Sequence, residues 1–208
     1  MKLVFATGNK DKLREAREIL DGIVEVVSPA QLGVFEEVEE NGLTLKENSV
    51  LKARGYRALC GLDCFADDTG LEVDALGGAP GVHAARYAVD VARRDGLPLP
   101  PDHDFSANID TLLRELSLHP GEPRTARFRS VVTLTLGGEL HFFEGALEGS
   151  IASVRSGSGG FGYDPVFLPD EYPGRSVAEL PQEVKNAISH RGKALRAMAQ
   201  WLKQNCNL

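Results

Sequence analysis

The chain has 208 residues, 42% hydrophobic and 25% charged, enough for a sizeable apolar core in one large domain or two small ones. Its acidic residues outnumber its basic ones by 30 to 23, a formal charge of −7, which argues against a nucleic acid polymer as partner because that role needs a broad basic surface. No apolar run reaches transmembrane length, the run after Met1 is too short for a signal peptide, and Cys60, Cys64 and Cys206 fit no zinc pattern, so a soluble cytoplasmic protein with no membrane partner is expected.

Residues 2–6 read as a buried strand ending at Thr7-Gly8-Asn9-Lys10-Asp11-Lys12. A helix follows, with Leu13, Ala16 and Leu20 on one face, and Gly22 stops it. A strand, a polar glycine-containing loop and a helix start form a phosphate-site geometry, because backbone N–H groups and the positive dipole end point at the loop. The Walker A spacing is absent, and capping by Asn9 accounts for part of the pattern. Residues 23–27 form a second expected strand. The acidic loop that follows, with Glu36, Glu37, Glu39 and Glu40, is either a solvated face or a source of a metal-binding carboxylate. Thr44-Leu45-Lys46-Glu47 has the form of a capping box and opens a helix carrying Asn48, Lys52 and Arg54 before Gly61.

The centre of the chain is Phe65-Ala66-Asp67-Asp68-Thr69-Gly70. On a strand over 63–67, adjacent side chains alternate faces, so the two carboxylates point apart unless the strand ends between them. Thr69-Gly70 predicts that it stops there, leaving one carboxylate at a strand end facing a site, or else a solvated Asp-rich turn. A short helical turn is expected near residues 83–87, and the Pro-rich segment 94–103 reads as irregular. Ile109, Leu112, Leu113 and Leu116 form the core stripe of the next helix. Residues 126–136 alternate as a strand, Gly137-Gly138 turns the chain, and 139–147 return as an antiparallel partner, so either a mixed sheet or a second antiparallel lobe is expected rather than a purely parallel sheet.

Gly157-Ser158-Gly159-Gly160-Phe161-Gly162 matches Gly-x-Gly-x-x-Gly, but no helix is expected after it, and the dinucleotide fingerprint is rejected. What remains is a loop presenting Phe161, Tyr163 and Asp164, suited to a heterocyclic base or simply stiffened by its aromatics. Ser189 is the expected N-cap of the last helix, with Leu195, Met198, Ala199 and Leu202 inward. His190 and Arg191 in its first turn are two cations that oppose the dipole, which points to a functional job or to an anionic partner.

Four motifs in this order are together specific: Thr7 to Lys12, Ala66 to Leu71, Gly160 to Pro165 and Ser189 to Lys193. With Glu47-Asn48, Lys52-Ala53, Leu76 to Gly81 and Ala85-Arg86-Tyr87, the chain closely resembles the inosine triphosphate pyrophosphatase family (Ham1-like, dITP/XTP pyrophosphatases) from about residue 2 to about 200. The stretch 93–105 follows that family least. The resemblance implies a single domain spanning 1–208 with an α/β fold, an elongated mixed-sheet ITPase-like (Maf/Ham1-like) structure of two lobes with a central cleft, usually a homodimer. It implies Mg²⁺-dependent hydrolysis of ITP, dITP and XTP to the monophosphate and pyrophosphate, clearing deaminated purines from nucleotide pools.

Carried over by motif, Thr7, Gly8, Asn9, Lys10, Asp11 and Lys12 would hold the triphosphate, and Asp68 would be the catalytic carboxylate and a metal ligand. Glu40, or its neighbour Glu39, would be the second metal-linked carboxylate, with Asp67 in a supporting role. Thr69 would touch the substrate, and Phe161, Gly162, Tyr163, Asp164, Lys185, His190 and Arg191 would surround base and sugar. The chemistry is compatible: Mg²⁺ takes one or two acids plus waters and substrate phosphates. Accepting ITP over ATP needs donors aimed at the 6-keto oxygen, and His190 and Arg191 suit; a wrong base leaves each unpaired at a cost of roughly 1–3 kcal/mol. Two alternatives are a pyrimidine-directed pyrophosphatase like the Maf proteins, whose serine–arginine opening motif this chain lacks, and a nucleotide sensor that does not hydrolyse.

Overall fold

The computed structural model describes residues 1–206; the last two positions of the expected 1–208 domain lie outside the described residues. Its elements are β1 (Lys2–Phe5), α1 (Lys10–Ile19), β2 (Glu25–Val27), α2 (Leu45–Cys60), β3 (Cys64–Val73), β4 (Pro80–Gly81), α3 (Tyr87–Asp95), α4 (Phe105–Ser117), β5 (Thr125–Leu136), β6 (Glu139–Ile151), β7 (Phe167–Pro169), α5 (Gln182–Ile188) and α6 (His190–Asn205). Strand order is β2-β1-β3-β5-β6-β7, with β4 beside β3. β1 runs parallel to β2 and β3, whereas β4 and β7 pair antiparallel with β3 and β6, so the sheet is mixed as the sequence predicts. Contacts divide the chain into two compact units: Met1–Thr69 with Arg129–Ala146 and Asn186–Leu208, and Gly70–Phe128 with Leu147–Lys185.

In the first unit the sheet is covered on both faces, and strand alternation decides what each face receives. Leu3, Phe5, Phe65, Val132 and Leu134 pack with Ala16 and Leu20 of α1 and with Leu195, Met198 and Leu202 of α6. The opposite residues Val4, Ala6, Cys64 and Ala66 pack with Ala53, Tyr56 and Cys60 around α2. Polar side chains on that second face are paired: Ser49 and Thr133 hydroxyls lie 2.7 Å apart, and the Thr135 hydroxyl both donates to the Cys64 carbonyl and accepts from its N–H. Helix starts follow the expected chemistry. Asn9 Oδ1 accepts from the Asp11 and Lys12 amides, Thr44 and Glu47 complete the capping box of α2, and Ser189 caps α6.

In the second unit α3 and α4 are tied by Asn108, whose Oδ1 accepts from the Ala88 amide at 2.8 Å and whose Nδ2 donates to the Ala85 carbonyl at 2.9 Å. Of the predicted stripe, Ile109, Leu112 and Leu116 are buried and Leu113 is half-buried. The expected short turn near 83–87 is the prelude to a full helix, α3. After Gly162 the chain forms turns and then β7, with no helix, so the rejected dinucleotide fingerprint stays rejected.

One expectation fails in an informative way. β3 does not stop at Thr69-Gly70 but runs on to Val73, because Leu71 and Glu72 pair with β4. Asp67 and Asp68 therefore sit mid-strand, on opposite faces of the sheet.

The ring of Phe65 stacks on Phe5 at 4.5 Å, and neither residue is exposed. Phe65→Ala is expected to cost about 3–5 kcal/mol through transfer and cavity terms. Chemical denaturation checks this: the midpoint falls while the slope with denaturant stays unchanged.

Candidate active site

Parity along β3 sends Asp67, with Phe65 and Thr69, to the face covered by α1 and α6. Asp68 goes with Cys64 and Ala66 to the face covered by α2. Each carboxylate meets its own cations there. Asp67 is 1% exposed; Lys12 Nζ from α1 lies 3.0 and 2.9 Å from its two oxygens, and Arg191 Nε from α6 donates to Oδ2 at 2.8 Å. The Thr69 hydroxyl adds a 3.4 Å contact to the same oxygen and donates to Ser130 Oγ at 3.2 Å. Desolvation alone would raise the Asp67 carboxyl, but Lys12, Arg191 and then Lys52, with the Arg191 hydrogen bond, override it and hold the group well below the usual carboxylate range.

The network extends to Glu15, one helical step from Lys12 on α1. Its Oε2 accepts from Arg191 Nη1 at 3.2 Å and its Oε1 from the Ser189 hydroxyl at 2.9 Å, while Ser189 Oγ caps the Gly192 amide. Asp67 and Glu15 thus pair with Arg191, the one charged member of the His190-Arg191 turn. Arg191 loses by desolvation but gains more from Asp67 and Glu15, which raise it, so it is firmly charged. Burial and then the Arg191 charge push His190 down to about 3, and its imidazole is neutral near pH 7 with both ring nitrogens shielded from solvent.

On the other face, Lys52 Nζ of α2 lies 3.1 Å from Asp68 Oδ1 and 2.8 Å from Glu40 Oε2. Desolvation raises the Asp68 carboxyl above its ordinary value, with Lys52 opposing and Glu40 and Asp67 adding to it. Lys52 is desolvated, yet Asp68, Asp67 and Glu40 together raise it, so the ammonium stays charged. Among the described residues no group of three or more His, Cys, Asp or Glu side chains could hold a metal ion. Two carboxylates converging on one cation nevertheless fit a hard divalent ion such as Mg²⁺, which is commonly held by one or two acids with waters and substrate phosphates completing its shell.

The remaining expected residues fall as follows. Thr7 Oγ1 accepts from the Asn9 amide at 3.1 Å, and Asn9 Oδ1 takes the Asp11 and Lys12 amides, so the loop satisfies much of its own helix start. Gly8 faces open space, Lys10 is exposed, and Asp11 pairs with Arg14. In the second unit Phe161 is 63% exposed and meets Phe105 edge-on. Tyr163 departs from the presented aromatic expected: it is buried, and its hydroxyl donates to the Ala84 carbonyl at 2.8 Å. Asp164 accepts from the Phe161 amide at 3.3 Å, lies 3.7 Å from Lys185 Nζ, and is pushed up to about 6 by burial, Lys185 opposing. Gly160, at φ +84, is required here, because a Cβ would collide with the Asp164 carboxylate. Gly162 turns the chain at φ +60.

Asp67 as a hub, Lys52 as the cation between two acids, and Glu15 were not assigned these parts from the sequence. The alternation of β3 and the three-residue step from Lys12 to Glu15 were the available signals.

The two aspartates should separate in mutation. Asp67→Asn leaves two buried cations short of a counter-charge and is expected to cost about 3–5 kcal/mol, whereas Asp68→Asn leaves unfolding close to wild type; denaturant melts of the two variants measure the contrast. The pH dependence follows. Because the folded value of Asp67 lies below its unfolded value near 4, its contribution is present above about pH 4 and drains as pH falls through the folded value. Acid unfolding of the Asp67→Asn variant should accordingly be shallower. For Asp164 the sign reverses: the folded value of about 6 lies above the unfolded one, so its contribution is present below about pH 4 and lost as pH rises through about 6. A carboxyl NMR titration should give that midpoint, and one near 4 contradicts the burial argument.

A model of the Ham1 family matches residues 3–201. The chain is 48% identical over 201 residues to the dITP/XTP pyrophosphatase of Porphyromonas gingivalis, with 97% of each chain covered. It is 45% identical to the dITP/XTP pyrophosphatase of Geobacter sulfurreducens, covering 97% of this chain and 96% of that one. Among solved structures, the Ham1 protein of Coxiella burnetii matches with a TM-score of 0.87 at 34% identity, covering 98% of this chain and 99% of that one. The nucleoside-triphosphatase / dITP/XTP pyrophosphatase of Mycobacterium abscessus matches at 0.76 and 42% identity, covering 95% and 98%. With the fold, the motifs and near-complete coverage in agreement, this chain belongs to the Ham1 family.

Proposed function

We propose that the protein is a nucleoside triphosphate pyrophosphatase that hydrolyses the deaminated purine nucleotides ITP, dITP and XTP to the monophosphate and pyrophosphate. It would do so as a cytoplasmic homodimer with Mg²⁺, through one ITPase-like domain spanning 1–208. Family membership and relatives named dITP/XTP pyrophosphatase support this reading. Among the described residues no helix is long and apolar enough to cross a membrane. The observation that carries the reading is the meeting of Asp68 and Glu40 at one buried ammonium, back to back with the Lys12–Asp67–Arg191 cluster.

The residues take the following parts. Glu40 and Asp68 would hold the ion, which when bound supplies neutralisation of phosphate charge. Asp68 accepts a proton from the attacking water. As the water oxygen bonds to phosphorus, the α–β phosphoanhydride bond breaks and pyrophosphate leaves with the bond's electron pair. The loop from Thr7 to Lys12 takes the triphosphate, with Lys10 and Lys12 as its charges, and Thr69 contacts the substrate. Neutral His190 offers one ring N–H and one acceptor. Arg191 already gives Nε and Nη1 to Asp67 and Glu15, so its part in recognising the 6-keto oxygen falls to its other N–H groups. The parts of Phe161, Gly162, Tyr163, Asp164 and Lys185 at the base and sugar rest on the family motif.

Pyrophosphate release measured with ITP, XTP, ATP, GTP, dTTP and UTP at equal concentration and saturating Mg²⁺ should be fastest with ITP and XTP. Equal or faster turnover of ATP overturns the specificity, and faster turnover of the pyrimidines overturns the purine reading. Asp68→Asn should lower kcat by about 10²-fold or more without unfolding the protein.

A further inference from the structure

Gly55 lies in the interior of α2, where glycine is about 1 kcal/mol worse than alanine. Its reason is contact: a Cβ there would meet Val38 Cγ2 and Cγ1 at 2.6 and 2.7 Å. Val38 stands amid Glu36, Glu37, Glu39 and Glu40 in the acidic loop and packs on the bare backbone of the helix. Four residues further on, Gly42 donates its amide to Asn48 Oδ1 at 2.8 Å, and a Cβ at Gly42 would meet that oxygen and Glu47 Cβ at 2.7 Å each. Asn48 is 5% exposed, so the bond is shielded. Glu47 takes the next amides, those of Leu43 and Thr44, at 2.7 and 3.1 Å.

The positions on α2 are related: Asn48, Lys52 and Gly55 follow at steps of four and three, which is one face of a helix. Their loop partners follow at steps of two, Val38 to Gly55, Glu40 to Lys52 and Gly42 to Asn48, so the loop runs antiparallel to the helix. The spacings are compatible, since two extended residues span about 6.5 Å and three to four helical residues about 4.5–6 Å. We infer that this two-point clamp sets Glu40, and not its neighbour Glu39, beside Asp68, making Val38, Gly55 and Asn48 positioning residues for the divalent-ion site. The inference rests on the reading of Glu40 and Asp68 as metal-linked carboxylates.

The test uses the full chain and Mn²⁺ as a paramagnetic probe, with free ion followed by EPR, and hydrogen exchange at the Gly42 amide as a readout independent of metal. Gly55→Ala should weaken Mn²⁺ binding about tenfold, the scale of a lost supporting contact, and expose the Gly42 amide. Val38→Ala should also weaken binding by loosening the loop. The double variant, in which the new methyl fills the space the valine vacates, should recover most of both effects, the coupling expected of direct contact. Unchanged Mn²⁺ affinity in Gly55→Ala, or a double variant no better than the singles, overturns the clamp. Wild-type protein that binds no Mn²⁺ and releases no pyrophosphate from ITP overturns the functional reading with it. Wild type that does both, while Gly55→Ala binds Mn²⁺ normally, removes the clamp alone.

Discussion

The structure depends on the pleat of one strand. Adjacent residues of β3 must face opposite ways, so the doublet Asp67-Asp68 cannot act as a pair of carboxylates on one centre. Each is delivered to a different layer, and each layer supplies a cation from a helix that the apolar core has already docked. Phe65 brings α1 and α6 to the Asp67 side, and Lys12 and Arg191 arrive with them. Cys64 and Ala66 bring α2 to the Asp68 side, and Lys52 arrives there. Hydrophobic packing sets the positions, and the charges are tolerated because packing sets them well.

Burying ions is costly, and only good geometry with satisfied hydrogen bonds offsets it. On the Asp67 side this condition is met by a chain of partners, Lys12 to Asp67 to Arg191 to Glu15 to Ser189, that ties both helices to the strand. Each ion of that chain therefore has an opposite charge within hydrogen-bond reach. The Asp68 side is built differently. Glu40 comes from a loop, remains partly exposed, and reaches Asp68 only through a shared lysine.

Much of this was legible in the chain. The two layers follow from apolar periodicity, the helix starts from Asn9, Thr44-Glu47 and Ser189, and the mixed sheet from the strand pair around Gly137-Gly138. The His190-Arg191 turn reads as a sign of either a job or an anionic partner, and the sequence does not single out Asp67 and Glu15 as the anions beside Arg191. The extension of β3 past Thr69-Gly70 was hidden because local turn propensity favoured a stop there, and pairing with the distant Pro80–Gly81 segment overrode it. The choice between Glu39 and Glu40 was equally invisible, since side chains of one type in one loop differ only in what the folded helix opposite offers them. Tyr163 reads as a presented aromatic until the Ala84 carbonyl is found within reach of its hydroxyl.

The shared lysine also bears on how two carboxylates can come together without a metal ion. Two carboxylates brought together with nothing between them repel, and one or both would take up protons. Lys52 removes that obligation: with Asp68, Asp67 and Glu40 around it the ammonium stays charged, and the acids need no divalent ion to assemble. The charges balance on the Asp67 face, Lys12 and Arg191 against Asp67 and Glu15, whereas Lys52 against Asp68 and Glu40 leaves the other face with one excess negative charge. Two carboxylates can be immediate neighbours in sequence and still belong to different layers, because the pleat turns them to opposite faces of the sheet.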